Sequence, residues 1–75
     1  MNHLMQEEAL ARIEALENCE VRADRECGII AHIMLDELNN GNEFKYQVLR
    51  IRWQNHWEDV LRYRRQIKLL RDMYL

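Results

Sequence analysis

The chain has 75 residues, two glycines, no proline and a formal net charge of −2. That length excludes more than one domain. A chain so short hides only about 60% of the surface its unfolded form exposes, so regular helix packing or self-association must supply stability. The abundance of Ala, Leu, Glu, Arg, Gln and Met predicts an all-α protein without strands.

The first helix is expected over residues 3–38. Asn2 is a passable cap for it, and Glu7 and Glu8 lie near the positive end of its dipole. Its seam reads Ala9, Ile13, Leu16, Glu20, Ala23, Cys27, Ile30, Met34 and Glu37, in alternating steps of three and four. Gly28 interrupts good helix formers. It is read as a point where a bulky side chain comes close, with a kink as the alternative. A break near Asn18 would give three helices. Cys19 and Cys27 are eight residues apart, about 12 Å along a straight helix, so they cannot pair with each other within it.

Asn39-Asn40-Gly41-Asn42 is the one turn signal. Asn40 or Gly41 suits the left-handed conformation that ends a helix, and Asn42 suits a cap for the next.

The second helix is expected over residues 43–73, with the stronger seam of Tyr46, Leu49, Trp53, His56, Val60, Tyr63, Ile67, Leu70 and Tyr74. A short connection makes the helices antiparallel neighbours. Pairing the two seams about the turn gives nine layers in which residue numbers add to 83, from Ala9–Tyr74 to Glu37–Tyr46. The expected fold is therefore a helical hairpin, coiled-coil-like along its length. Charge supports this pairing. Residues 1–42 carry nine acids and three arginines, net −6, and residues 43–75 carry eight bases and four acids, net +4.

Several apolar groups do not fit into two helices. Phe44, Val48 and Ile51 form a second stripe behind the second helix. Ile29, Ile33, Leu35 and Leu38 are surplus on the first, and Trp57 and Leu61 widen the seam. Ile29, Ile33, Phe44, Val48, Ile51 and Trp57 are the candidates for self-association into a dimeric four-helix bundle. The architecture resembles that of small helical-hairpin regulators that dimerise in this way, a likeness of plan and not of motif.

Candidate chemistry is sparse. His56 faces Cys27 in the seam, but zinc needs three or four converging ligands, and a Cys–His nucleophile needs a cleft and an oxyanion hole. The reading is a half-buried histidine bonded to a carboxylate of the facing helix. Glu20, His56 and Tyr63 form the polar part of the seam, and Glu17 is expected near Arg64. No catalysis, cofactor or metal is expected. Arg62, Arg65, Lys68 and Arg71 form a basic face that suits a protein partner or, alternatively, nucleic acid. The pI near 5.9 weighs against nucleic acid. No early stretch resembles a signal peptide and no run is long enough to span a bilayer, so the expectation is a cytoplasmic regulatory protein with no membrane contact.

Overall fold

The computed structural model describes residues 3–75. Helix α1 spans His3–Asn39 and helix α2 spans Glu43–Tyr74. With no proline to break it, α1 continues unbroken through Asn18 and Gly28. The three-helix alternative is thereby set aside. Asn2 lies outside the described residues. Glu7 and Glu8 fall in the second turn of α1, past the first turn where the dipole acts most strongly.

The chain reverses through a Schellman turn. The Gly41 N–H donates to the Leu38 carbonyl at 3.1 Å and the Asn42 N–H to the Glu37 carbonyl at 2.9 Å. Gly41 takes the left-handed conformation, φ +77°, and no non-glycine described here has a positive φ. Glycine is chosen there because a Cβ would crowd the following carbonyl. Asn42 does not cap α2 with its side chain, contrary to expectation. Its Nδ2 instead donates to Glu37 Oε2 at 2.7 Å, bracing the turn, while its carbonyl accepts from the Tyr46 N–H at 3.0 Å.

The two helices pack side by side as an antiparallel hairpin measuring 59 × 14 × 12 Å. Its radius of gyration is 17.1 Å, against about 11 Å for a globule of this length. Every residue of both seams is buried or half-buried. The cross-helix contacts Gln6–Tyr74, Cys27–Trp53, Glu20–Arg64 and Glu17–Arg71 have residue numbers adding to 80, 80, 84 and 88. They are centred on the expected 83. The two ion pairs spread because long side chains reach along the partner, whereas Cys27 and Gln6 meet backbone carbonyls three residues away from their expected layer.

The core is thin. Ala9, Ile13, Cys27, Ile30, Val60 and Ile67 are the buried residues described, and of these Val60 alone has no exposed surface. Gly28 corrects an expectation: it is exposed, and a Cβ built on it meets nothing within 4 Å. No bulky side chain of the hairpin approaches it.

Candidate interaction surface

The seam leaves the hairpin with two broad faces and two backs, each with its own chemistry. On one broad face, Cys19, Arg22 and Glu26 of α1 line a shallow groove with His56, Asp59 and Tyr63 of α2. On the other, Glu17, Glu20, Val21 and Asp24 line a groove with Ile67 and Arg71.

Acid–base rungs cross the second face. Arg64 Nε donates to Glu20 Oε1 at 2.6 Å, and Arg71 to Glu17 Oε1 at 2.6 Å. The expected Glu17–Arg64 neighbours are thus exchanged. Glu20 occupies a seam position between apolar layers, where its charge is costly. It turns out of the seam, its side chain 24% exposed, and captures Arg64. Glu17 is then met by Arg71, two turns further along α2. Both pairs are half in water, so each contributes only about 0.2–1 kcal/mol; they fix register more than they stabilise.

An aromatic ladder adjoins the rungs. Trp53 and Trp57 stack with ring centroids 6.2 Å apart and planes within 5°. The Arg64 guanidinium lies 5.5 Å from the Trp57 ring. Trp57 is therefore half-buried within the hairpin, on the face opposite Ile29, Ile33 and Val48. The sequence showed the i, i+4 tryptophans but not their union with Arg64 and Glu20, which needs the facing helix.

The polar seam holds one correction. His56 is half-buried, yet no carboxylate bonds to it among the described residues. Of the acids on its groove, Asp59 of its own helix is held by Arg62 at 3.1 Å, and Glu26 of the facing helix forms no bond to the imidazole. The Cys27 thiol donates to the Trp53 carbonyl at 3.9 Å and not to the imidazole. Burial, followed by the charges of Asp24 and Asp59, pushes the Cys27 thiol above its ordinary value of 9.0. Such a thiol is a poor nucleophile. Cys19 and Cys27 are both free thiols, and no three His, Cys, Asp or Glu side chains among the described residues converge as a metal site would require.

With the seam, rungs and ladder accounted for, the apolar surface stands out. Compared with known proteins, the chain matches no family, no curated protein and no solved structure. The surface must speak for itself. Among the described residues fourteen large hydrophobics are exposed, whereas six residues of any kind are buried. Seven of them, Ile29, Ile33, Leu35, Leu38, Phe44, Val48 and Ile51, crowd the turn end between residues 29 and 51. Phe44 and Ile51, seven residues apart, lie on the outward back of α2, with Phe44 81% exposed. Val48 lies beside them, and Ile29 and Ile33 lie on the adjoining face of α1. Gly28, Ala31, Leu35 and Leu38 form a further stripe at steps of three and four, with Val21 seven residues before it, which sequence reasoning joins only in part.

The basic face is partly spoken for. Arg62 is tied to Asp59 and lies 5.5 Å from the Tyr63 ring, and Arg71 is tied to Glu17. Arg65 and Lys68 are exposed and form no ion pair among the described residues. No described helix is long and apolar enough to cross a membrane.

Proposed function

We propose that this chain is a non-catalytic interaction protein. Its hairpins self-associate through the apolar surface near the turn, through Ile29, Ile33, Phe44, Val48 and Ile51, and the resulting bundle offers a charged helix face to a protein partner. One observation carries the reading: among the described residues, seven of the fourteen exposed large hydrophobics lie between residues 29 and 51, on a rod in which six described residues are buried. Apolar surface gathered in this way marks an association site. The turn-distal shaft, where Arg65, Lys68 and the acidic flank of α1 remain in water, supplies the partner-facing charge.

Sedimentation or light scattering at micromolar concentration tests this. The expected mass is twice the 9.2 kDa of one chain, and Ile51→Glu should return it to one. A wild-type monomer at that concentration removes the proposal.

Nucleic acid binding is the weaker reading. Two of its four expected cations, Arg62 and Arg71, are occupied within the hairpin, and the Tyr63 ring that would stack on a base is covered by Arg62. Binding of single- or double-stranded oligonucleotides at low salt, lost as salt rises and lost on changing Arg65 and Lys68 together, would favour it.

A further inference from the structure

We infer that the turn-end surface docks on a lipid bilayer with anionic headgroups. Phe44, Val48 and Ile51 enter the interface beside Ile29 and Ile33, while Lys45 and Arg52 meet the lipid phosphates. This goes beyond the self-association proposed above and uses the same apolar surface, so a second copy and a bilayer compete for it. It also departs from the expectation of no membrane contact. That expectation rested on the lack of a run long enough to span, and a helix that lies on a bilayer needs no such run.

The placement follows from the grooves and the helical repeat. The shallow groove that holds Cys19, Arg22 and Glu26 of α1 with Asp59 of α2 identifies one broad face. Steps of seven along α1 carry that face to Ile29, Ile33 and Asp36, and steps of seven back along α2 carry it to Arg52 and Lys45. Val48 lies on the same flank of α2, and Phe44 and Ile51 continue it round the outward back. The two cations therefore stand among five apolar side chains, whose exposure runs from 42% at Ile33 to 81% at Phe44. Lys45 and Arg52 are themselves exposed and form no ion pair among the described residues. From Ile29 to the turn, Asp36 is the one acid on this face, and α2 has no acid from Phe44 to Trp57. Glu37 is bonded to Asn42, and Glu43 lies with Arg50 and Arg64 on the opposite flank.

Charge chooses the occupant. A protein that covered this surface would have to supply an acid at a fixed position for each buried cation. A second copy covers the apolar part but brings Asp36 as the one acid of its matching surface, which leaves one cation of each copy in excess. A bilayer supplies phosphate wherever a cation reaches. Long Lys and Arg side chains hold their heads at that level while their stems lie along apolar groups. The chain's net charge of −2 does not oppose this. Glu7, Glu8 and Glu14 lie 19 or more residues from Ile33, about 28 Å along α1, which is about three screening lengths at physiological salt.

Flotation of the full chain with phosphatidylcholine vesicles, with and without phosphatidylserine, tests this. The protein should float with the anionic vesicles and stay behind with phosphatidylcholine alone. Lys45→Gln with Arg52→Gln should weaken the partition about thirtyfold, at about fivefold per cation. Phe44→Ala should weaken it about tenfold. Arg12→Gln with Arg25→Gln makes the same change of charge away from the surface and should leave the partition unchanged. All five positions are exposed, and unchanged helical circular dichroism checks that the variants keep the fold. No flotation with the anionic vesicles, equal flotation with phosphatidylcholine alone, or equal loss from the two double variants would each overturn the inference. A protein that ignores vesicles but binds an acidic amphipathic helical peptide assigns the surface to a protein partner and overturns it too. A dimer's mass without vesicle binding leaves self-association standing and removes the bilayer; a monomer that binds the anionic vesicles does the reverse.

Discussion

Replacing Gly28 by alanine should stabilise the hairpin. Gly28 lies deep inside α1 with ordinary helical backbone, and glycine there costs about 1 kcal/mol relative to alanine. Part of that cost is backbone freedom in the unfolded chain, which a Cβ restricts. The usual compensation, a neighbour that needs the space, is missing, because an added Cβ meets nothing within 4 Å. The full gain of about 1 kcal/mol should therefore appear. For a domain of this size it raises Tm by about 4–8 °C. Thermal unfolding followed by helical circular dichroism, repeated over a hundredfold range of concentration, measures it and separates folding from association. A lower Tm, or a rise that vanishes only at high concentration, would refute the reasoning. It would mean that a helix of another chain sits where the single hairpin leaves space. The self-association surface proposed above excludes Gly28, so the alanine variant should also keep the wild-type mass.

The other expectations concern the core, the turn and the thiols. Val60→Ala removes two methyl groups from the one side chain with no exposure. It should cost about 2–3 kcal/mol in urea unfolding, from lost burial plus the space left behind. Gly41→Ala forces a side chain into φ +77° and should cost about 1–2 kcal/mol without changing helix content; Gly41→Asn should cost less. In native protein at pH 8 an alkylating reagent should modify Cys19 well before Cys27, and unfolding should equalise them. Because the folded Cys27 thiol titrates above its ordinary 9.0, it stays protonated in the fold at pH values where the unfolded chain has lost that proton. Its contribution is complete below pH 9 and is lost as pH rises through the folded value. Stability should thus fall above pH 9, and Cys27→Ala should reduce that slope.

The legible part of this fold was the part written in periodicity. Nine layers of alternating three and four spacing, with Gly41 as the one residue suited to φ above zero, identify two antiparallel helices and their register without any contact being known. Side-chain partners were less legible, because they depend on competition. Glu20 was placed opposite Tyr63, but whether it would face inward depended on an arginine one residue away from that layer. Once Arg64 was taken, Glu17 had to find Arg71. His56 lost its expected carboxylate of the facing helix for a similar reason, since Glu20, the acid of the α1 seam, turns outward to Arg64. Gly28 misled because a glycine records that space is available, not what fills it. The surface was legible as surplus: Phe44, Val48 and Ile51 fit no seam. Trp57 was grouped with them because spacing alone does not tell the two broad faces apart. That distinction comes from seeing Arg64 settle beside its ring.

The Schellman reversal also dictates the order in which the arms come apart. Partners near the turn are close in sequence, whereas those at the free ends are not: Cys27 and Trp53 are 26 residues apart, Gln6 and Tyr74 are 68. Joining the outer pair before the inner would cost about 0.9 kcal/mol more chain entropy. The arms therefore close like a zipper from Gly41 outward and fray from the termini inward. Amide hydrogen exchange should slow steadily along each helix toward the bend, giving each helix a gradient of lifetimes in place of one common value.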